Sequence, residues 1–465
     1  MLFSSTVFLF VFLPGVLLAY YALARTPRLQ NDLLLIASLF FYAWGEPIHI
    51  LVMIISIVGN YLFGLEMSVC KRRRCCLIAA VCFNLGILFY FKYYNFTIQN
   101  LNAIFNLQIV AKPVSLPIGI SFFTFQAMSY VIDVYRGNAE VQRNVLDLGL
   151  YISFFPQLIA GPIVRYNSIN DQIRYRRVTP ECFQSGIWRF TLGFAKKTIL
   201  ANSLSLAAER AFSLAGGGEI STAMSWIGSL AYTFQIYYDF SGYSDMAIGL
   251  GAMFGFRYEE NFNYPYISRS VSEFWTRWHI SLGHWFRDYV YFPLGGSRVS
   301  KGKLVRNLLV VWLLTGIWHG AAWQFILWGM GYGLIISVEK LTGFPKCCRS
   351  KWPGLLYGVF TFFIVNAGWV LFGAQNLSAA LAQYRAMLGF GAPADLSSVF
   401  YWNEYWPVFL LAAILSTPLL RIILARLPGN AWREPLRAVV MLALLVISVS
   451  YLVMGAHNPF IYFNF

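Results

Sequence analysis

The stretch Leu304–Val338 limits what this chain can become. It is a predominantly apolar run of 35 residues. A single helix of that length would be about 50 Å long, well beyond the roughly 30 Å hydrocarbon core of a bilayer. The run therefore predicts two crossings, broken near Gly316 and Gly320. Between those glycines lies Trp318-His319-Gly320, which puts an imidazole at membrane depth. Ionisable side chains placed there cost roughly 2–4 kcal/mol on insertion scales. A chain that carries one points to proton handling, ion passage or catalysis.

The rest of the sequence is consistent with a membrane solvent. Of 465 residues, 58% are hydrophobic and only 12% are charged. That is about half the charged fraction typical of soluble domains, and a bilayer can solvate the apolar outer wall that results. The net charge of +15 comes from basic residues clustered in short loops. This pattern orients membrane helices and gives no reason to invoke nucleic acid. Cysteines lie mostly in or beside those basic loops, without the spacing of a zinc site or an extracellular disulfide framework.

Apolar runs and Lys/Arg loops predict an all-α polytopic protein of roughly 11–13 transmembrane helices, a single membrane domain over 1–465. Expected spans begin with 3–23, 33–44 and 48–68; the Lys71-Arg72-Arg73-Arg74 loop then marks the cytosol. Span 76–94 leads to an external polar segment, 95–112. After span 114–134, the run 146–163 carries Pro156, Gly161 and Pro162 and is read as broken or re-entrant. A span at 199–214 follows, then one at 224–253 with a polar interruption. Segment 257–303 is read as amphipathic and cytosolic-side, with 269–289 as one helix in the interface plane. Spans 355–372, 408–424 and 439–454 lead to an aromatic tail, 457–465. Both termini are expected on the extracytoplasmic side.

Candidate chemistry gathers in four places. His319 has Trp318 and Trp323 as rigid walls and glycines that allow close backbone approach. Asp239, Ser241 and Asp245 form a polar island in an apolar span, read as interhelical glue or as a cavity lining. In the 257–303 segment, His279 edges the apolar stripe of 269–289, and Arg269, Arg277, Arg287 and Arg298 could meet an anionic donor head group. The tail carries Tyr462, whose phenol has an ordinary pKa near 10, below that of a sugar hydroxyl. His49 and His457 are read as interfacial. No histidine spacing suggests a metal, and no nucleophile elbow or phosphate-binding loop is present.

These residues resemble the membrane-bound O-acyltransferase family, in its bacterial alginate O-acetyltransferase branch. The likeness runs nearly the whole length. It is most specific at Asp133-Val134-Tyr135-Arg136, Phe155–Ile163, Phe274–Arg298, Trp318-His319-Gly320 and the two chain ends. The resemblance implies a helix bundle around a central tunnel with His319 at its centre and His279 as the second family histidine. It implies a cytosolic thioester donor, acetyl-CoA or an acyl carrier, with no tightly bound cofactor. It also implies a polysaccharide acceptor, a separate extracytoplasmic acyltransferase as partner, a bacterial inner-membrane location and Tyr462 as a candidate acyl relay. Peptidoglycan O-acetylation and teichoic-acid D-alanylation use the same chemistry and stay open. A transporter or a non-catalytic scaffold are the readings from other classes; the sequence has no paired halves of the kind many transporters carry.

Overall fold

The computed structural model describes residues 1–110, 112–347, 350–426, 433–455 and 458–459. Tyr462, His457 and most of the aromatic tail lie outside the described residues. Among the described residues the chain is helical without strands, with one isolated antiparallel bridge, Phe262 to Trp278. Internal packing gathers into two units, Met1–Phe190 with Ser244–Glu259, and Thr191–Tyr243 with Glu260–Phe465.

The first unit contains α1 (Leu13–Ala22), α2 (Pro27–Gly45), α3 (Ile50–Val69), α4 (Arg73–Leu88), α5 (Tyr94–Phe105), α6 (Ile120–Arg136), α7 (Val145–Ser153), α8 (Phe155–Leu158), α9 (Tyr166–Arg174) and most of α10 (Pro180–Ala195). Its helices are tied by polar groups that have no water to turn to. Asn60 on α3 and Asn84 on α4 exchange amide hydrogen bonds of 3.0 and 2.7 Å, both side chains buried. Such pairs hold transmembrane helices together where apolar packing against lipid discriminates weakly. Arg176 donates to the Tyr20 hydroxyl at 3.0 Å and to Asn31 Oδ1 at 2.5 Å, and its guanidinium lies 4.6 Å from the Phe256 ring centroid. Asn144 caps α7 by accepting from the Leu146 amide. The helix stops at Ser153, and after the break at Phe154 comes the single turn α8, all of it buried in protein. That is the condition under which irregular backbone survives at membrane depth.

The second unit contains α11 (Asn202–Gly217), most of α12 (Thr222–Met253), α13 (Val271–Arg277), α14 (Ile280–Phe286), α15 (Lys301–His319), α16 (Trp323–Thr342), α17 (Phe344–Cys347), α18 (Lys351–Gly373), α19 (Leu377–Met387), α20 (Leu396–Leu415), α21 (Leu419–Arg426) and α22 (Arg433–Val453). Helices α15 and α16 form an antiparallel hairpin whose turn is Gly320–Ala322. Gly316 and Gly329 set its spacing. A Cβ on Gly316 would lie 2.4 Å from the Phe325 carbonyl oxygen, and one on Gly329 would lie 2.4 Å from that of Trp312.

Four helices are long and apolar enough to cross a bilayer by length and composition, 50–69, 73–105, 352–373 and 434–453; α20 with α21 would be a fifth, bent by 67°. Several expected spans outside that set are shorter or carry buried polar groups, as befits helices that face protein rather than lipid. The segment expected to be external and polar, 95–112, begins as a helix that ends at Phe105. Three local expectations need correction. The polar island does not interrupt α12, which runs unbroken for 32 residues; Asp239 and Asp245 each meet a cation, so no backbone break is needed to solvate them. The long run breaks only at Gly320, and Gly316 stays helical. The 269–289 stripe is not one interfacial helix. It divides at Trp278-His279, and Phe274, Trp278, Leu282, Trp285 and Phe286 are buried within the protein.

A buried carboxylate fixes this divided segment. Glu339 on α16 accepts from the backbone amides of Val271 at 2.9 Å and Ser272 at 2.8 Å, and from the Tyr357 hydroxyl at 2.6 Å. The first amides of α13 would otherwise be buried without intrahelical partners, and an anion there also suits the helix dipole. Glu339→Ala should therefore destabilise the protein by about 2–4 kcal/mol, since hydrogen bonds to charged groups contribute about 1.5–3 kcal/mol each. A melting curve in detergent checks this, with Glu339→Gln falling between the two.

Candidate active site

His319 ends α15 and is 3% exposed. Aromatic rings surround it edge to face, with centroids at 4.9 Å for Trp318, 5.0 Å for Trp328 and 5.1 Å for Phe372. The hairpin supplies Trp318 and Trp328, and the last turn of α18 supplies Phe372. Edge-to-face contacts of this kind hold a ring's orientation. The imidazole therefore occupies a rigid apolar enclosure where the helix ends and the chain reverses.

His279 lies in the same unit, between α13 and α14, with φ +46°. A non-glycine residue in that left-handed region costs about 1–3 kcal/mol, so the surroundings must enforce it. They do so through Asn261. The Ile280 amide donates to the Asn261 carbonyl at 3.0 Å, and the Asn261 side-chain oxygen accepts from the Ser281 amide at 3.2 Å and the Ser281 hydroxyl at 2.9 Å. The same oxygen lies 3.1 Å from His279 Nδ1. Because the Ser281 amide can only donate, the atom facing it is the carboxamide oxygen, and Nδ1 must then carry the proton. Nε2 is left as the basic nitrogen.

Trp318 joins the two imidazoles, with its ring centroid 4.9 Å from that of His319 and 5.9 Å from that of His279. Phe240 of α12 packs on the other side of His279 at 4.6 Å. The structure thus brings His319, His279 and Trp318 together.

The other candidates divide. Asp239 pairs with Lys197 at 2.7 Å, both deeply buried. Asp245 pairs with Arg189 at 2.7 Å in the first unit, so the acidic island is not one site. The Ser241 hydroxyl is buried without a hydrogen-bond partner among the described residues. Arg277 is engaged locally, by Glu273 at 2.9 Å and by the Asn263 carbonyl. Arg298 is exposed. Trp323, expected as a wall beside His319, is 55% exposed, and Trp328 takes that place. Sequence reasoning also missed Asn261, Phe240, Phe372 and Lys197. Trp328 alone had an available signal: it directly precedes Gly329, whose packing on the facing helix turns that stretch of α16 inward.

A buried imidazole pair in a helical membrane scaffold fits a class of integral enzymes that transfer acyl groups. The membrane-bound O-acyltransferase family model matches residues 142–345. The chain is 46% identical over 399 residues to the "Probable alginate O-acetylase AlgI" of Pseudomonas aeruginosa, covering 84% of this chain and 75% of that protein. It is 39% identical to the protein of the same name in Pseudomonas putida, over the full length of both. It is 35% identical to the peptidoglycan O-acetyltransferase of Helicobacter pylori, covering 84% of this chain and 80% of that one. The chain belongs to the membrane-bound O-acyltransferase family and is a membrane O-acetyltransferase.

Asn261→Ala removes the acceptor that fixes the His279 tautomer. Misplacement of a reacting or orienting group by about 1 Å can cost about 10²-fold in rate. The variant should accumulate in membranes and lose acetyl transfer by about that factor, measured with labelled acetyl donor against membrane protein level.

Proposed function

We propose that this enzyme moves an acetyl group from a cytosolic thioester, acetyl-CoA or an acyl carrier, to an extracytoplasmic polysaccharide, with His319 as the general base. The observation that carries the proposal is the His319 imidazole, buried at the end of α15 within a ring of aromatics. In the step proposed, His319 takes the proton of an acceptor hydroxyl. The hydroxyl oxygen attacks the thioester carbonyl, the C–S bond breaks, and the thiolate leaves toward the cytosol, where it is protonated. General-base assistance of this kind typically contributes about 10²–10⁴-fold. His279, held by Asn261, orients groups beside Trp318.

The greater identity to proteins named alginate O-acetylases than to a peptidoglycan O-acetyltransferase favours an exopolysaccharide acceptor. The loops at Arg25, Arg28 and 71–74 favour a bacterial inner-membrane protein with extracytoplasmic termini. On that topology the Tyr462 phenol is the first acceptor. It takes the acetyl group as an aryl ester and passes it to a separate external transferase.

With labelled acetyl-CoA, His319→Ala should lower polymer acetylation by about 10²–10⁴-fold at unchanged membrane level. Unchanged transfer would reject the assignment. Tyr462→Phe should abolish polymer acetylation while thioester hydrolysis persists, as measured by thiol release. Full acetylation by that variant would reject the relay.

A further inference from the structure

His49, read from the sequence as interfacial, stands in a constellation that the acetyl transfer proposed above does not use. It lies where α2 gives way to α3, at the end of α3 opposite the basic loop 71–74. Its Nδ1 is 2.5 Å from Glu46 Oε2, and its Nε2 is 3.4 Å from the Ser115 hydroxyl oxygen. A carboxylate accepts, so Nδ1 carries the proton and Nε2, turned to the hydroxyl, is the basic nitrogen. The Glu46 and His49 side chains are each 16% exposed, whereas Ser115 is open to the surface. All three residues belong to the first unit; His319 belongs to the second.

Neighbouring contacts hold the arrangement. The Phe91 ring meets the imidazole edge to face at a centroid distance of 5.8 Å. Asn95, on α5, clamps the residue before Ser115: its side-chain amide donates to the Val114 carbonyl at 2.9 Å, and its side-chain oxygen accepts from the Val114 amide at 3.1 Å. Pro113 and Pro117 restrict the backbone on either side. Phe91 lies in a π-helical turn, Phe89–Tyr93, a feature that is rare and concentrates at functional sites. From the same turn Lys92 donates to the Ser121 hydroxyl at 3.0 Å, which ties the turn to the start of α6.

We infer that Ser115, His49 and Glu46 form a second catalytic site, one that hydrolyses small oxygen esters such as esters of acetate; on the orientation proposed above it opens on the extracytoplasmic side. A hydroxyl, a base within its reach and a third group that orients the base are the recurring parts of acyl-transfer sites, recognised by geometry and not by chain order. The 3.4 Å contact between Ser115 and His49 is long, and such contacts tighten when a substrate binds. In the step inferred, Ser115 Oγ attacks the ester carbonyl carbon as its proton passes to His49 Nε2. The bond from that carbon to the alcohol oxygen breaks, and the alcohol leaves with the proton. Water then attacks the acyl-serine with the help of the same imidazole, which releases the carboxylic acid and restores Ser115. Glu46 is a positioning residue: it keeps Nδ1 protonated and steadies the imidazolium formed in each half of the cycle.

The test uses the full chain carrying His319→Ala, purified in detergent, so that the imidazole assigned to polymer acetylation cannot contribute. A fluorophosphonate probe should label Ser115, as mapped by peptide mass, and His49→Gln should slow that labelling by about 10²-fold or more. Hydrolysis of p-nitrophenyl acetate should fall by a similar factor in Ser115→Ala, a small change at an exposed position that leaves packing intact. Glu46→Gln should lower kcat for the same ester with KM little changed, a split that a purely structural role would not produce. An unlabelled Ser115, or ester hydrolysis unchanged by Ser115→Ala, would overturn the site. Neither readout involves a thioester, so a negative result here leaves the His319 assignment standing.

Discussion

A polar group at membrane depth has to find its partner within the protein, and this requirement organises the whole chain. Where an amide faces an amide, as at Asn60 and Asn84, two helices are locked. Where a carboxylate meets bare helix amides, as at Glu339 and α13, a short segment is fixed against a long one. Where a carboxamide oxygen meets a ring nitrogen, as at Asn261 and His279, a tautomer is chosen. The same rule makes Lys197 and Asp239 a pair. Apolar contacts fill the space between these points. The polar contacts decide which arrangement is unique, because a misplaced one would leave an uncompensated group in hydrocarbon.

The candidate site grows from this rule and from one steric device. Gly316 and Gly329 bring α15 and α16 into backbone contact. The turn that follows stops the helix at His319, so the imidazole sits at a helix end rather than along a helix wall. Four elements then close on the imidazole pair: the α15–α16 hairpin, α18, the α13–α14 connection and α12. The aromatic contacts around His319 are edge to face, which holds the ring in place. His279 is held by its Asn261 hydrogen bond. Two histidines in one membrane unit thus stand in different surroundings, one held by a carboxamide and the other ringed by aromatics.

The sequence made some of this legible and hid the rest for physical reasons. The hairpin was readable because bilayer thickness limits helix length, and a 35-residue run cannot satisfy that limit as one span. The break in 146–163 was readable from its prolines and glycine. The division of 269–289 was not, since periodicity counts residues along the helix and cannot see Asn261, which lies 18 residues before His279 and bends the chain through contacts distant in sequence. The acidic island misled because Asp239 and Asp245 are near in sequence. Six residues put them about 120° apart around a helix, and they face different cations. Trp323 and Trp328 are similar in composition and opposite in exposure, a distinction set by which side of α16 the glycines turn inward.

The central claim is that the His319 imidazole accepts the proton in acetyl transfer. Single-turnover thiol release from labelled acetyl-CoA by purified protein, with His319→Gln compared to wild type at matched melting temperature, tests it most directly. The account predicts that the glutamine variant, close in size and still hydrogen-bonding but unable to take a proton, releases thiol slower by about 10²-fold or more. Release at the wild-type rate by a folded variant would contradict it.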